Sequence, residues 1–367
     1  GLTEMIKPFS AAFAAALVLA AVPAAATKYA GEFMYVGAGA KALAMGGAYA
    51  SLASDATSGY WNPAGLVRME GSEAQLMHSE RFGGLITYDY LAYGRSDGQT
   101  GLGASLFRTD MGDVPNTLEM DYYDTGSDGV AGEDGTGEPG DSGNDDYDPN
   151  TNPGGTEGNG EWDPGEEIIY DESKISYQRC VDWALYLSWS RHVTDRLTLG
   201  TSAKVISRTI MDHSGWGLGF DAGAQMRFSD AFSMGLTLQD VLGTYLFYDT
   251  GTRESVLPTA KLGMSASWPI SRFASVLTFS ADGDFRFEGR KASAQYHMGE
   301  VSLDTHMGFE LLVKDRVGLR LGASEGDLTA GLGLKVGLMG YPVSLDYAYL
   351  SHEELDNTHR FSLGVGF

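Results

Sequence analysis

Cysteine is nearly absent from this chain of 367 residues: Cys180 is its single thiol, so no internal disulfide can form. Long apolar runs are also missing beyond the N-terminal leader-like stretch. Because a spanning helix needs about 20 consecutive apolar residues, a helical membrane protein is excluded. Lys and Arg total 25 against 49 Asp and Glu, and no basic patch carries interleaved aromatics. This balance argues against nucleic acid as a partner.

Basic residues are missing altogether from one block. Between Asp110 and Ser173 the chain has about 20 Asp and Glu and no Lys or Arg. A block of this kind is normally solvated and poorly ordered. The formal net charge of −24 therefore describes one segment rather than the whole surface. We predict that residues 110–179 are an acidic insert.

Motifs for common catalytic and cofactor chemistry are not found either. The chain has no phosphate-binding Walker loop, no dinucleotide fingerprint and no zinc-type spacing of Cys and His. His213 follows Asp212, but neighbouring residues of a strand point to opposite faces and do not converge on a substrate. We therefore expect no enzymatic activity.

The N-terminus has the pattern of a secretory signal. Lys7 gives a short positive region, and residues 10–22 form an apolar run of about 13 residues. Ala24, Ala25 and Ala26 match the small-residue cleavage rule. We predict a signal peptide over residues 1–26; the alternative is a buried core helix. Secretion would place the mature chain in the periplasm, outside the cell or in the outer membrane.

The last residues of the chain alternate with a period of two, which is strand geometry. The apolar face comprises Phe361, Leu363, Val365 and Phe367, and the opposite face comprises Arg360, Ser362, Gly364 and Gly366. A soluble β-sandwich has the same period, but its outer face would carry more Lys and Glu. A terminal aromatic closing such a strand resembles the signal that the barrel assembly machinery reads. We therefore expect that machinery as a partner.

From residue 71 onward we count about 14 alternating runs, and bacterial barrels have even strand numbers. The predicted cores are 72–79, 84–95, 99–109, 180–191, 196–208, 216–228, 231–240, 257–269, 273–287, 296–313, 315–323, 327–337, 341–350 and 359–367. Short turns alternate with longer connections, which is typical of outer-membrane barrels. The prediction is an all-β fold: a transmembrane antiparallel β-barrel over 71–367, embedded in outer-membrane lipid, with the acidic insert extracellular.

A barrel of this width cannot be filled by its own side chains. Residues 27–70 precede the first strand and are rich in small residues that allow close backbone packing. Asn62 and Pro63 are typical of a helix start, with Asn as the cap and Pro in the first turn. We predict an N-terminal luminal plug; the alternative is an ordinary turn of a soluble domain. The predicted plug motif comprises Gly46, Gly47, Asp55, Trp61, Asn62, Pro63, Ala64 and Gly65.

The stretch "VGAGAKALAMGGAYASLASDATSGYWNPAGL" at 36–66 resembles the N-terminus of PorV/PorQ-type proteins, a branch of the FadL-like outer-membrane barrels. Residues 346–367 resemble the last two strands of that family. FadL carries hydrophobic molecules inward past an N-terminal hatch and through an opening in the barrel wall. PorV acts in type IX secretion and shuttles cargo proteins. The resemblance implies passage of hydrophobic small molecules or, alternatively, a secretion component that binds secreted cargo proteins.

The acidic insert holds one candidate metal site, in "DYDPNTNPGGTE" at 146–157. Its side-chain oxygens have the 1, 3, 5, 7, 12 spacing of a calcium loop. The predicted ligands are Asp146, Asp148, Asn150, Asn152 and Glu157. Thr151 replaces the turn glycine usual at the sixth position. The alternative is a solvated acidic segment that binds no metal. We expect no cofactor other than this possible calcium.

Overall fold

The computed structural model describes residues 31–81, 84–117, 122–124, 147–156, 159, 168–170, 175–287, 289–290, 294–352 and 357–367. The predicted signal peptide, residues 1–26, lies outside the described residues. No helix in these ranges is both long enough and apolar enough to cross a membrane.

The structure is a closed antiparallel barrel of 14 strands, which confirms the predicted fold class. Its wall strands are β1 (Ser72–Arg81), β2 (Ile86–Ser96), β3 (Thr100–Asn116), β6 (Ser176–His192), β7 (Leu197–Ile210), β8 (His213–Arg227), β9 (Phe232–Gln239), β12 (Thr259–Ile270), β13 (Ser275–Arg286), β15 (Val301–Val313), β16 (Val317–Ser324), β17 (Asp327–Leu338), β18 (Tyr341–Leu350) and β19 (Thr358–Gly366). The shorter strands are β4 (Tyr122–Asp124), β5 (Ile168–Tyr170), β10 (Thr244–Tyr248), β11 (Arg253–Val256) and β14 (Tyr296–Met298).

The first and last strands close the barrel. Leu76 of β1 lies opposite Leu91 of β2 on one side and opposite Leu363 of β19 on the other. Closure leaves the sheet without a free edge, so the wall pairs its own backbone N–H and C=O groups. A hydrocarbon environment demands this pairing because it offers no water to unpaired groups.

The two faces of the wall differ in polarity. On β19, Leu363 is 42% exposed, whereas the neighbouring Ser362 is 4% exposed. On β17, Leu332 is 55% exposed and Thr329 is 1% exposed. The outer face is therefore apolar and the inner face polar, the reverse of a soluble protein. This arrangement indicates that lipid surrounds the wall.

Two predicted boundaries differ from the structure. The predicted loop 241–256 contains the hairpin β10–β11, in which Thr244 pairs with Val256. Asp240 and Leu242 have positive φ, so the chain bends sharply after β9. Beyond this kink it forms β10, which pairs with β8. The predicted strand 296–313 is divided into β14 and β15 by a turn at residues 299–300, where Gly299 also has positive φ.

The predicted insert 110–179 begins and ends within strands, because β3 extends to Asn116 and β6 starts at Ser176. The alternation of apolar and polar residues does not predict these extensions. It arises where one face of a strand contacts lipid, and a strand can continue beyond the lipid without it. Residues 112–178 form a compact unit. Within that unit β4 pairs with β5 in an antiparallel ladder.

The chain before β1 forms short helices. They are 3₁₀ helices at Glu32–Tyr35 and Pro63–Arg68 and α-helices at Ala40–Ala44 and Ser58–Trp61. We call residues 31–69 the N-terminal segment. Most of its residues are buried, and many of them are small. It therefore packs against other parts of the molecule rather than against water.

Leu332→Arg tests the lipid contact of the outer face. Leu332 lies in the middle of β17, so the substitution should destabilise the barrel by about 2–4 kcal/mol. Leu338→Arg is the matched control, because Leu338 is similarly exposed but lies at the end of β17. There the loss of stability should be at most about 1 kcal/mol. Reversible urea unfolding from lipid vesicles measures both values. Equal costs at the two depths would contradict a lipid-facing wall.

Candidate functional site

The N-terminal segment lies inside the ring of strands, because its hydrogen bonds reach the wall in many directions. The pairs, with donor first, are Ala40 N to Ser362 Oγ of β19 (2.8 Å), Ala50 N to Asp282 Oδ2 of β13 (2.8 Å), Ser202 Oγ of β7 to Gly59 O (3.0 Å) and Ser96 Oγ of β2 to Val67 O (2.9 Å). Each wall partner is a buried residue on the inner face. The lumen of the barrel is thus occupied by the chain's own N-terminal segment.

Asn62 is the most connected residue of the predicted plug motif. Its Oδ1 accepts a hydrogen bond from Ala64 N at 3.1 Å and so caps the 3₁₀ helix Pro63–Arg68, which has Pro63 in its first turn. Its Nδ2 donates to the carbonyl oxygens of Ala50 at 2.8 Å and Ala224 at 3.2 Å. One buried amide therefore starts a helix, holds the segment to itself and holds it to β8.

Glycine at position 46 allows the backbone to touch the wall. Gly46 has a φ of 68°, and a Cβ there would lie 2.3 Å from the carbonyl oxygen of Ala323. Gly65 meets the segment itself, because its Cβ would lie 2.1 Å from the carbonyl oxygen of Ala53. Close packing thus requires glycine at both positions. Gly47, next to Gly46, also has positive φ.

Asp55 and Trp61 hold the segment together internally. Asp55 Oδ2 accepts a hydrogen bond from the Tyr49 hydroxyl at 2.6 Å, and Asp55 Oδ1 accepts one from Thr57 N at 3.0 Å. Trp61 is buried, and its Nε1 donates to the carbonyl oxygen of Ala38 at 2.7 Å. Both residues were singled out from the sequence, and the structure brings them into one folded unit.

An aromatic cluster joins the segment to the wall. Tyr60 packs edge-on against Tyr90 of β2 at 6.4 Å and against Tyr186 of β6 at 6.1 Å between ring centroids. Phe107 of β3 extends the cluster, with its ring 6.4 Å from that of Tyr90. Sequence reasoning missed the wall members. Their signal is a large aromatic residue on the inward phase of a strand, where most positions are small or polar.

Several charged side chains on the inner face form ion pairs. Lys204 Nζ lies 2.8 Å from Asp221 Oδ1 and also forms an ion pair with Asp240. Further pairs on this face join Arg320 to Glu310 and Asp346, Lys261 to Asp284, and Arg290 to Asp304. Buried charges are costly unless they are paired, and these ion pairs offset that cost. The sequence predicts only a polar inner face and does not predict these pairs.

The predicted calcium loop is described only in part. Asp146 and Glu157 lie outside the described residues. Asp148 Oδ1 accepts hydrogen bonds from the backbone N–H groups of Asn150 at 2.6 Å and Thr151 at 3.0 Å. Asp148 and Asn152 form an antiparallel bridge. In the ranges that the structure describes, no group of three or more His, Cys, Asp or Glu is arranged to hold a metal.

The predicted assembly residues lie on the outer face of the closing strand. Phe361, Leu363 and Phe367 are exposed, whereas Val365 is half-buried and pairs with Ala74 of β1. The ring of Phe367 stacks on that of Tyr93, with centroids 6.1 Å apart. The structure brings these residues together at the seam, and their recognition by the assembly machinery stays a prediction.

These features define the class of the protein. A closed barrel of 14 antiparallel strands, with an apolar outer face and a polar inner face, is an outer-membrane β-barrel. Its N-terminal segment occupies the lumen.

Solved structures with the same fold are outer-membrane transporters. TbuX of Ralstonia pickettii, a toluene transporter, is 12% identical with a TM-score of 0.52, and the match covers 90% of this chain and 98% of TbuX. TodX, the toluene transporter of P. putida, gives the same identity and TM-score and covers 90% of this chain and 97% of TodX. The coarser part of the resemblance, a FadL-like barrel fold, is confirmed. No protein-family model and no curated protein matches the sequence.

Gly200→Ala should loosen the N-terminal segment. A Cβ at Gly200 of β7 would lie 2.4 Å from the carbonyl carbon of Pro63 and 2.5 Å from Ala64 N. Overpacking of this kind costs about 1–3 kcal/mol, which raises the population of the displaced segment about fivefold or more. Trypsin cleavage after Lys41, followed in detergent, measures that population.

Gly337→Ala is the matched control, because a Cβ at Gly337 of β17 would meet no atom within 4 Å. Cleavage of this variant should stay at the rate of the unchanged protein. Equal cleavage rates for the two variants would contradict the contact between segment and wall.

Proposed function

We propose that the barrel passes hydrophobic small molecules across the outer membrane and that the N-terminal segment acts as its plug. The observation that carries this proposal is the aromatic cluster of the lumen, which combines rings of the segment with rings of the wall. Tyr60 and Trp61 contribute from the segment, and Tyr90, Phe107 and Tyr186 contribute from the wall. Aromatic surfaces bind apolar molecules, and a wide barrel without such surfaces would hold water.

Passage requires the segment to move. The buried core of the lumen is built from side chains of the segment and of the wall in contact, so a molecule that passes through this core must displace the segment. The toluene transporters TbuX and TodX share the fold, which supports a monoaromatic hydrocarbon as the first substrate to test.

A disulfide between the segment and the wall tests this directly. A Cβ built at Gly59 lies 3.5 Å from Ser188 Cβ of β6, which is within the range of disulfides. Gly59→Cys combined with Ser188→Cys, in a Cys180→Ser background, should form a bond that fixes the segment. Uptake of radiolabelled toluene by cells carrying the oxidised protein should fall to the level of cells without it. A membrane-permeant reductant should restore uptake.

Each single cysteine variant in the same background serves as the control and should retain full uptake with and without reductant. A second measurement addresses the plug itself: deletion of residues 29–66 should convert low conductance in planar bilayers into large, steady channels. Uptake that persists in the oxidised double variant would contradict passage past the segment. Equal, low conductance of the intact and deleted proteins would contradict the plug.

The alternative function is a PorV-like secretion component that binds cargo proteins. The finer resemblance to PorV/PorQ-type proteins rests on the sequence motif at 36–66. No contact among the described residues favours cargo binding, so this function is left as an outcome of the same experiment. It would leave hydrocarbon uptake unchanged by the disulfide, and deletion of the gene would remove secreted proteins from the medium.

We further propose that the acidic insert binds calcium through Asp146, Asp148, Asn150, Asn152 and Glu157. The backbone hydrogen bonds that Asp148 accepts lower the pKa of its carboxyl, so this ligand is ionised at neutral pH. Calcium should slow the cleavage of the insert by external protease. Asp148→Asn should weaken this protection, whereas Asp163→Asn, outside the ligand spacing, should not. A cleavage rate that chelator leaves unchanged would contradict the site.

A further inference from the structure

A polar cavity of about 390 Å³ lies between the N-terminal segment and the wall, near the short turn that follows β8. The segment contributes Ser51, Ser54 and Arg68, and the wall contributes Arg227, Ser265 and Ser267, among others. Short turns mark the periplasmic end of an outer-membrane barrel, so the cavity opens toward the periplasm. The plug contacts and the aromatic cluster described above do not use its two arginines.

Two arginines and one acidic residue, Asp230, line the cavity, and Arg227 and Asp230 are exposed. Arg68 donates to neutral acceptors: Thr198 Oγ1 at 3.3 Å and the carbonyl oxygens of Arg196 at 3.1 Å and Gln225 at 3.4 Å. Within the ranges that the structure describes, neither Arg68 nor Arg227 forms an ion pair. Two arginines and one acidic residue therefore give the cavity an excess of positive charge.

The two arginines also disfavour one another. Burial, and then the positive charge of Arg227, lowers the pKa of Arg68 to about 10. An anion between the two groups would offset both effects, since it replaces lost hydration and screens the repulsion. Arginine suits this role because its planar group donates two parallel hydrogen bonds to a carboxylate or phosphate.

A buried hydroxyl supplies a separate observation. Ser51 is 7% exposed and lines the cavity, yet its Oγ has no hydrogen-bond partner among the described residues. The backbone of Ser51 packs closely against β9, because a Cβ at Gly235 would lie 2.7 Å from Ser51 N. A buried hydroxyl is normally hydrogen-bonded. Because this oxygen is itself buried, a rotation of the Ser51 side chain toward the cavity would let it donate to a ligand there.

We propose that this cavity binds a small anion through its oxygen atoms, with Arg68 and Arg227 contributing charge and Ser51 contributing a hydrogen bond. The ligand class is a carboxylate or phosphate group on a molecule that reaches the barrel from the periplasm. The bound anion would lie between the segment and β8, so it would join the segment to the wall. The site is independent of the proposed passage of hydrophobic molecules, because binding is measured without transport.

Titration calorimetry of the full chain in nonionic detergent tests the proposal, with inorganic phosphate and acetate as separate probes at constant ionic strength. At least one probe should bind saturably with a stoichiometry near one. Phosphate binding alone would identify a tetrahedral group, and acetate binding alone a carboxylate. Arg227→Gln should weaken binding about tenfold or more, because hydrogen bonds to charged groups are the stronger class. Ser51→Ala should weaken it about fivefold.

Arg196→Gln is the matched control. It removes the same charge from the same end of the barrel, and the Arg196 side chain does not line the cavity. The backbone carbonyl of Arg196, which accepts a hydrogen bond from Arg68, is unchanged. Its affinity should stay within about twofold of the unchanged protein. Gel migration with and without heating confirms that each variant is a folded barrel. Absence of saturable binding for both probes, or equal weakening by Arg196→Gln and Arg227→Gln, would overturn the proposal.

Discussion

The antiparallel pairing of β1 with β19 is the contact on which the rest of the structure depends. It turns a sheet with two free edges into a ring, and only a ring satisfies the backbone hydrogen bonds of strands that cross hydrocarbon. The ring then sets the polarity of every strand: one side of each faces lipid, and the other faces an enclosed space. With 14 strands, that space is wider than inward side chains can fill.

The N-terminal segment follows from this unfilled space. Small residues bring its backbone against the wall, as Gly46 does at Ala323, and larger groups are used only where they make several contacts. Asn62 bonds within the segment and to β8, while Tyr60 packs against two wall strands. A few well-connected side chains on a compact backbone can hold a segment in place while leaving it a unit that moves as a whole.

The inner face also separates two environments. Aromatic rings gather on β2, β3 and β6, whereas the periplasmic cavity beside β8 carries arginines and hydroxyls. The aromatic surface and the arginine-lined surface are therefore separate parts of the same inner face. The fold shared with toluene transporters does not by itself distinguish these roles, since barrels of one architecture carry different cargo. The side chains that line the lumen determine what the barrel binds.

The wall strands were predictable from the sequence because alternation is a local property: each residue shows by its polarity whether it faces lipid or lumen. The predicted core 341–350 coincides with β18, and most other cores differ from the observed strands by a few residues at their ends. The helix start at Asn62 was likewise readable, since a cap needs only its own neighbours.

Other features depended on the closed ring. The kink at Asp240 and the hairpin β10–β11 carry no period-two signal, because pairing with β8 decides where the chain resumes as a strand. Tyr60 and Tyr186 lie far apart in sequence, as do Arg68 and Arg227. The position of the segment among the strands brings the two rings into contact and the two arginines to one cavity. The sequence by itself determined which residues face lipid; only the tertiary structure decided which of the others meet, because closing the barrel brings distant strands around one segment.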